Sequence, residues 1–477
     1  MKNIFSAEDL PAYHDRLLVV KMQPASQSEF ESFSISGARG AASTPGLNAL
    51  SFFERGGMIK RVTPVSTVAA TRKGRGPRRA MASFAASFAE EDAAPSAGVN
   101  LIEMENEKNV DELRTALAND PHVDFAARVP VRYLFVARKA AKRNRTAPQS
   151  NAPSVSKLWN LQKINWAQAR SLPGFKDAGS IKVAVLDTGI DKNHPDLKGQ
   201  FSGYYFAHPD QNRPSGEKDI VGHGTHVAGT IAAKINNNLG VNGICQCDLK
   251  IWKIFDDVAD FLSFSRGFVY FVDPIMYWRA LMSCAEQKVD VVNLSIGGAG
   301  APDHFEQTLF DNLLANNTTV VAAMGNEREQ GSPVSYPAAI PGVIAVGAVK
   351  VNDKVAGFSN RGNHISLCAP GVGVWSTLPT TPGQFGFRVE RGSDGFIREG
   401  KPNRRETDYD SWDGTSMATP HVAAAAALLM ANRGKMSPAS TRSQLMKTAA
   451  RVKKMDGKSF HPDYGAGRLD LLRLLTM

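Results

Sequence analysis

Apolar positions in this chain follow two different rhythms, and the change falls near residue 150. Before it, short segments alternate between strand-like and helix-like spacing. Arg16-Leu17-Leu18-Val19-Val20-Lys21 predicts a strand, and residues 46–55 a short amphipathic helix. Residues 58–65 and Val99-Asn100-Leu101-Ile102-Glu103-Met104 predict two more strands. Residues 109–119 place Val110, Leu113 and Leu117 on one helical face, and 123–133 supply a fourth strand. The order βαββαβ is that of a small ferredoxin-like α+β unit. Residues 66–98 are rich in Ala, Ser and Arg without periodicity, which predicts a disordered insertion. Residues 144–156 are rich in Pro, Ser and Asn and read as a linker, so the expected domains are 1–150 and 151–477.

Beyond the linker the apolar runs are continuous rather than alternating, as strands buried on both faces require. Candidates are residues 182–186, 249–254, 289–294, 319–323 and 343–346, with helices beginning near His223, Pro274, Phe305 and Ser416. Strands interleaved with helices predict an α/β domain with a doubly wound parallel sheet. A run of alanines, Ala423 to Ala427, gives the last of these helices a thin body suited to burial under the sheet.

Three segments carry candidate chemistry. In Val183-Ala184-Val185-Leu186-Asp187-Thr188-Gly189, Asp187 is the first charge at the C-terminal end of a buried strand, where open α/β sheets place their sites. In Gly222-His223-Gly224-Thr225-His226, a histidine flanked by glycines enters a helix of small residues. In Gly414-Thr415-Ser416-Met417-Ala418-Thr419-Pro420-His421, a serine sits at a helix N-terminus, whose partial positive charge favours a developing oxyanion. A carboxylate that orients imidazole, an imidazole that takes a proton and a serine that attacks a carbonyl form a nucleophilic triad. Taken singly, each has a plainer reading. Asp187 alone is a turn residue, Thr-Ser before a helix is a cap, and His223 with His226 is a metal pair lacking further ligands.

Together, in the order Asp, His, Ser, the segments resemble the signatures of the subtilase (subtilisin-like) serine proteases. The resemblance extends from about residue 159 to the C-terminus and adds Val320-Val321-Ala322-Ala323-Met324-Gly325-Asn326-Glu327. It implies that Asp187 orients, His223 is the general base, Ser416 the nucleophile and Asn326 the oxyanion donor. It further implies that Ser295, Ile296 and Gly297 pair with the substrate backbone. Ala323 and Gly325 would wall the specificity pocket, with Glu327 at its rim as a screened, weak carboxylate and Ser335 near its floor. No cofactor is implied for the chemistry. A structural calcium ion is implied, held by Asp196 and the loop carrying Ile235, Asn237, Leu239 and Val241. The segment Leu117-Ala118-Asn119-Asp120-Pro121-His122-Val123-Asp124-Phe125 resembles the end of a subtilase inhibitor propeptide, which would make the N-terminal domain an intramolecular inhibitor.

Two stretches depart from the family pattern. Asp260-Phe261-Leu262-Ser263-Phe264 replaces the family's glycine-rich loop before the Pro274 helix, in a region crowded by Phe255, Phe261, Phe264, Phe268, Tyr270, Phe271, Tyr277 and Trp278, as core or as an apolar substrate rim. Residues 380–413 form a long, Gly- and charge-rich connection just before Ser416, expected as a loop without structure over the catalytic face.

Composition narrows the setting. The net charge of +10 in 477 residues raises nucleic-acid binding, but much of the excess lies in tracts 72–79 and 138–145, which lack interleaved aromatics. The N-terminal residues carry no apolar secretion segment, and no run reaches a membrane span. Cys245, Cys247, Cys284 and Cys368 follow no disulfide framework, so free thiols and a cytoplasmic setting are expected. The function expected is a serine endopeptidase acting on polypeptides and made as a self-processing zymogen. A catalytically silent subtilase-fold binding protein, or a peptide ligase or cyclase using the same acyl-enzyme, is the alternative.

Overall fold

The computed structural model describes residues 11–23, 48–65, 96–134, 157–206, 216–262 and 267–477. The expected linker at 144–156 and residues 66–95 of the expected insertion lie outside the described residues. The chain forms two compact units, one of Pro11–Pro130 with Pro302–Leu309, the other containing Val131–Ala301 and Phe310–Met477.

In the smaller unit the strands lie in the order Ile59–Pro64, Val99–Met104, Tyr13–Met22 and Val123–Pro130, every pair antiparallel. That is the strand order of a ferredoxin-like split unit. Helices Asn48–Arg55 and Val110–Ala118 bury Leu50, Phe53, Val110, Leu113 and Leu117 against Leu18, Val20, Ile102 and Met104. The stretch 123–133 is not one strand. It stops at Pro130, which has no N–H to continue a ladder, and Tyr133–Leu134 forms a separate short strand belonging to the larger unit.

The larger unit is built on a seven-stranded parallel sheet. Its order is Ile365–Pro370, Ile344–Val349, Thr319–Ala323, Val291–Leu294, Lys182–Asp187, Asp248–Lys253 and Phe201–Tyr205. The chain starts this sheet at Lys182–Asp187, places Phe201–Tyr205 at the edge and Asp248–Lys253 between them, and then builds the other side outward from Val291–Leu294. The carboxyl ends of the neighbours Lys182–Asp187 and Val291–Leu294 mark the switch point at which such sheets open a crevice. Helix Thr415–Arg433 packs on the central strands, and Thr415 to Met430 are all buried. Helix Pro274–Glu286 takes Pro274 in its first turn, where the missing N–H costs nothing, and the Asp273 carboxylate caps the Met276 N–H at 2.8 Å.

Residues 380–413 are not an unstructured loop. Gln384–Arg391 and Ile397–Arg404 pair as an antiparallel hairpin, and the first of them also pairs with Gly267–Val269, which pairs with Asp260–Leu262. Tyr409–Trp412 then returns antiparallel to Val374–Thr377. The alternation Phe385, Phe387, Val389 is a period-two signal, but its glycines and charges read as loop. The aromatic stretch divides accordingly. Phe255, Tyr270, Tyr277 and Trp278 are core, Phe261 is exposed, and Phe264 lies outside the described residues. Among the described residues no helix is long and apolar enough to cross a membrane.

Candidate active site

Strand Lys182–Asp187 delivers Asp187 to the switch point, where its Oδ1 accepts the Thr188 N–H at 2.7 Å. Helix His223–Ala232 begins beside it. Asp219 caps that helix, its carboxylate accepting the N–H of Gly222 (2.7 Å) and both the N–H and hydroxyl of Thr225 (2.9 and 2.7 Å). His223 Nδ1 lies 2.8 and 2.9 Å from the two Asp187 oxygens, and both residues are fully buried. Gly224 makes this approach feasible, since a Cβ there would stand 2.1 Å from the Gly189 carbonyl oxygen.

Ser416 occupies the first turn of helix Thr415–Arg433. Its hydroxyl donates to the Ser295 carbonyl at 2.8 Å, while the Ser295 hydroxyl donates to the Ser416 carbonyl at 2.9 Å. The second bond has a cause four residues on. Pro420 lacks the N–H that would bond the Ser416 carbonyl within the helix, and Ser295 supplies the donor instead. With the serine proton on Ser295, His223 Nε2 is buried without a protein partner among the described residues. Asn326 follows strand Thr319–Ala323, and its Oδ1 accepts the Thr415 N–H (3.0 Å) and hydroxyl (2.9 Å). Holding the amide oxygen sets which way its nitrogen end points.

The substrate-side residues line a groove that the unit's own chain enters. Ile296–Gly297 pairs antiparallel with Tyr133–Leu134, and the Val272 N–H donates to the Arg132 carbonyl at 3.2 Å. Arg132 Nη1 also donates to the Gly300 carbonyl at 2.8 Å. A Cβ at Gly298 would stand 2.1 Å from the Val131 carbonyl oxygen, so only glycine admits a strand so closely. The geometry is that of β-augmentation. Tyr133 packs on Ala323, and its hydroxyl donates to Glu327 Oε1 at 3.3 Å.

Glu327 is not a screened rim carboxylate. It is 5% exposed, and burial pushes its carboxyl up to about 7 although Asn360 Nδ2 donates to it at 2.9 Å. Gly325 beside it has φ +103, and a Cβ there would meet Asn360 Nδ2 at 2.3 Å. Ser335 is buried, with a hydroxyl that has no protein partner among the described residues.

The other histidines are structural. His226 stacks on Trp412 (4.9 Å, 8°) with Nε2 3.1 Å from the Val374 carbonyl, and burial pushes it down to about 3. His421 donates from Nδ1 to the Met417 carbonyl at 2.9 Å, and burial pushes it down to about 4.

The expected calcium ligands do cluster, but as donors and acceptors for one another. Asp196 Oδ1 accepts the Asn237 amide N–H (2.7 Å), and Oδ2 accepts the Val241 N–H (3.0 Å) and the Tyr409 hydroxyl (3.1 Å). Asn237 turns its oxygen to the Leu239 N–H at 3.0 Å. Calcium needs several oxygens facing one point. Here Asp196 is surrounded by N–H and O–H donors, and this donor set does not fit the ion. Ile235, Leu239 and Val241 could offer only main-chain carbonyls, and no group of three or more His, Cys, Asp or Glu is placed to hold a metal among the described residues.

A seven-stranded parallel sheet with Asp187, His223 and Ser416 gathered at its carboxyl edge places the molecule among the doubly wound α/β proteins. The chain belongs to the Subtilase family, whose profile matches residues 178–467. It is 35% identical over 295 residues to Subtilisin amylosacchariticus of Bacillus subtilis subsp. amylosacchariticus, covering 61% of this chain and 65% of that protein. The match therefore spans just under two thirds of that relative. The Major intracellular serine protease of Bacillus subtilis (strain 168) is 34% identical over 315 residues, covering 62% of this chain and 87% of that one. The fold also resembles fervidolysin from Fervidobacterium pennivorans, described as a keratinolytic enzyme related to subtilisin. The TM-score is 0.62 at 22% identity, over 98% of this chain and 61% of that one.

Proposed function

We propose that this chain is a serine endopeptidase that cleaves polypeptides through Asp187, His223 and Ser416. The observation that carries the reading is the pair of hydrogen bonds from His223 Nδ1 to Asp187 beside a buried Nε2 with no protein partner among the described residues. Asp187 fixes the imidazole as the Nδ1–H tautomer and stabilises its cation, which leaves Nε2 to accept a proton. The Ser416 hydroxyl then turns from the Ser295 carbonyl to Nε2. As its proton leaves, Oγ bonds the substrate carbonyl carbon. The oxyanion takes hydrogen bonds from Asn326 Nδ2 and from the Ser416 N–H, one of the helix's first four unpaired donors. His223 protonates the departing amine, and water hydrolyses the acyl-enzyme by the same path in reverse roles.

We infer further that the N-terminal unit is an inhibitor propeptide and that the enzyme cuts itself free. Support comes from residues 131–134, which lie in the groove as a peptide substrate would. The cut is expected between about 133 and 156, of which residues 135–156 lie outside the described residues. The four cysteines are free thiols, which supports a reducing compartment. The test is mass spectrometry with a fluorophosphonate probe. Wild type should label and convert from 51.5 kDa to a shorter form, and residues 1–135 added in trans should inhibit it. Protein that neither labels nor converts would be a silent binding fold. Active full-length protein indifferent to the fragment would remove the propeptide role.

A further inference from the structure

We propose that Arg405 is a positioning residue that holds the loop in front of His223 in its working place. This rests on the reading of His223 as the general base. Arg405 follows the inserted hairpin, and its side chain turns inward until the residue is only 8% exposed. Its guanidinium donates four hydrogen bonds, all to main-chain carbonyls. Nε reaches Ile220 at 2.9 Å, Nη2 reaches Asp219 at 3.2 Å, and Nη1 reaches Pro379 at 3.3 Å and Glu406 at 3.0 Å. Burying a cation is costly, and here the cost lowers its pKa. The arrangement persists because a planar fork serves several fixed acceptors at once, which an ammonium on a flexible stem does not.

Two of those acceptors belong to the turn that carries His223. The carbonyls of Asp219 and Ile220 face Arg405, while the Asp219 side chain caps Gly222 and Thr225 at the start of the His223 helix. Gly222 is in the left-handed region (φ +86), and a Cβ there would lie 2.9 Å from Arg405 Cδ and Nε. The insertion's backbone closes on the same turn. The Gln384 N–H donates to the Ile220 carbonyl at 3.2 Å, and a Cβ on Gly383 would stand 2.1 Å from that oxygen. Arg405 thus grips from one side the residues that fix the imidazole's height and angle from the other. None of its hydrogen bonds among the described residues reaches the peptide-pairing segments Ile296–Gly297 and Val272. Loosening it should therefore impair proton transfer and leave peptide binding alone.

The test compares wild type with Arg405→Gln, Arg405→Lys and Arg405→Ala. kcat is expected to fall roughly 10- to 100-fold in all three, the scale of an ångström-level misplacement of a catalytic group, with KM within about threefold. Tens of millimolar guanidinium should restore much of kcat to Arg405→Ala, whereas tetramethylammonium should not. Hydrogen exchange, run in the Ser416→Ala background to prevent autolysis, should show faster exchange across 219–225 in Arg405→Gln. Arg405→Lys provides the same readout if the glutamine variant does not fold. A hairpin-tip control, Phe396→Ser, should leave kcat and exchange at 219–225 unchanged. Folded Arg405 variants with wild-type kcat, or with reduced kcat and unaltered exchange at 219–225, would overturn the proposal. If wild type fails to label with fluorophosphonate, the endopeptidase reading falls and the exchange data alone decide whether Arg405 holds the loop.

Discussion

Helix Thr415–Arg433 and the inserted hairpin both reach the candidate site but are held in different ways. Every residue of the helix from Thr415 to Met430 is buried, whereas in the two hairpin strands only Gly386 is. The helix is fixed by close packing of small side chains, where one added methylene is felt. The hairpin is fixed by main-chain pairing with Gly267–Val269 and by the buried side chain that directly follows it, Arg405. A substitution in the first region should change stability and chemistry together. In the second, most substitutions should change neither, and those that matter should act through one anchored residue.

Four experiments test that contrast, from the largest effect down. Ser416→Ala should cut kcat by on the order of 10⁶, the scale known for losing the nucleophile in a subtilisin, and abolish probe labelling with the fold intact by circular dichroism. Labelling that survives would place the nucleophile elsewhere. Asn326→Ala should lower kcat by roughly 10² to 10³ with KM little changed, because its bond to the oxyanion forms in the transition state. An equal rise in KM would mean that Asn326 binds the ground state instead.

Glu327 gives a pH signature. Its folded pKa of about 7 exceeds the ordinary value of 4.5, so between those values the native state holds more protons than the unfolded chain. Its contribution to stability is therefore full below about 4.5 and is lost as pH rises to about 7, by up to about 3 kcal/mol. Glu327→Gln in the Ser416→Ala background should flatten that decline in urea midpoints measured from pH 4.5 to 8. An unchanged slope would mean that the carboxyl stays ionised. The smallest effect belongs to the insertion side, where Tyr409 completes the donor set around Asp196. Removing calcium with EDTA should shift Tm by no more than about 1 °C, whereas a cation bound in that loop at 100 times its Kd would contribute about 2.7 kcal/mol.

Much of the candidate site was legible because local pattern and chemistry coincide there. Asp187 ends an apolar run, His223 stands between glycines, and Ser416 precedes a helix of alanines, so each motif announces both its element and its end. The hairpin was not legible in the same way. Phe385, Phe387 and Val389 alternate, but what turns the alternation into a strand is the partner at Gly267–Val269, more than a hundred residues away. Glu327 was misjudged for a related reason. Its neighbours in sequence are polar, and its burial is imposed by Tyr133 and Asn360 from distant segments.

By itself, the sequence determined which residues face the core and where strands and helices stop, because the periods of 2 and 3.6 and the small residues at chain reversals act over a few positions. Only the tertiary structure decided which of two acceptors holds the Ser416 proton, since the Ser295 carbonyl lies 121 residues away. The same holds for Arg405, which reaches the Asp219 carbonyl across 186 residues. It holds for Asp196 as well, whose carboxylate is satisfied by the Tyr409 hydroxyl and the Asn237 amide rather than presented to an ion. Such choices depend on which donors and acceptors meet when water is excluded, and that is fixed by chain closure over long distances.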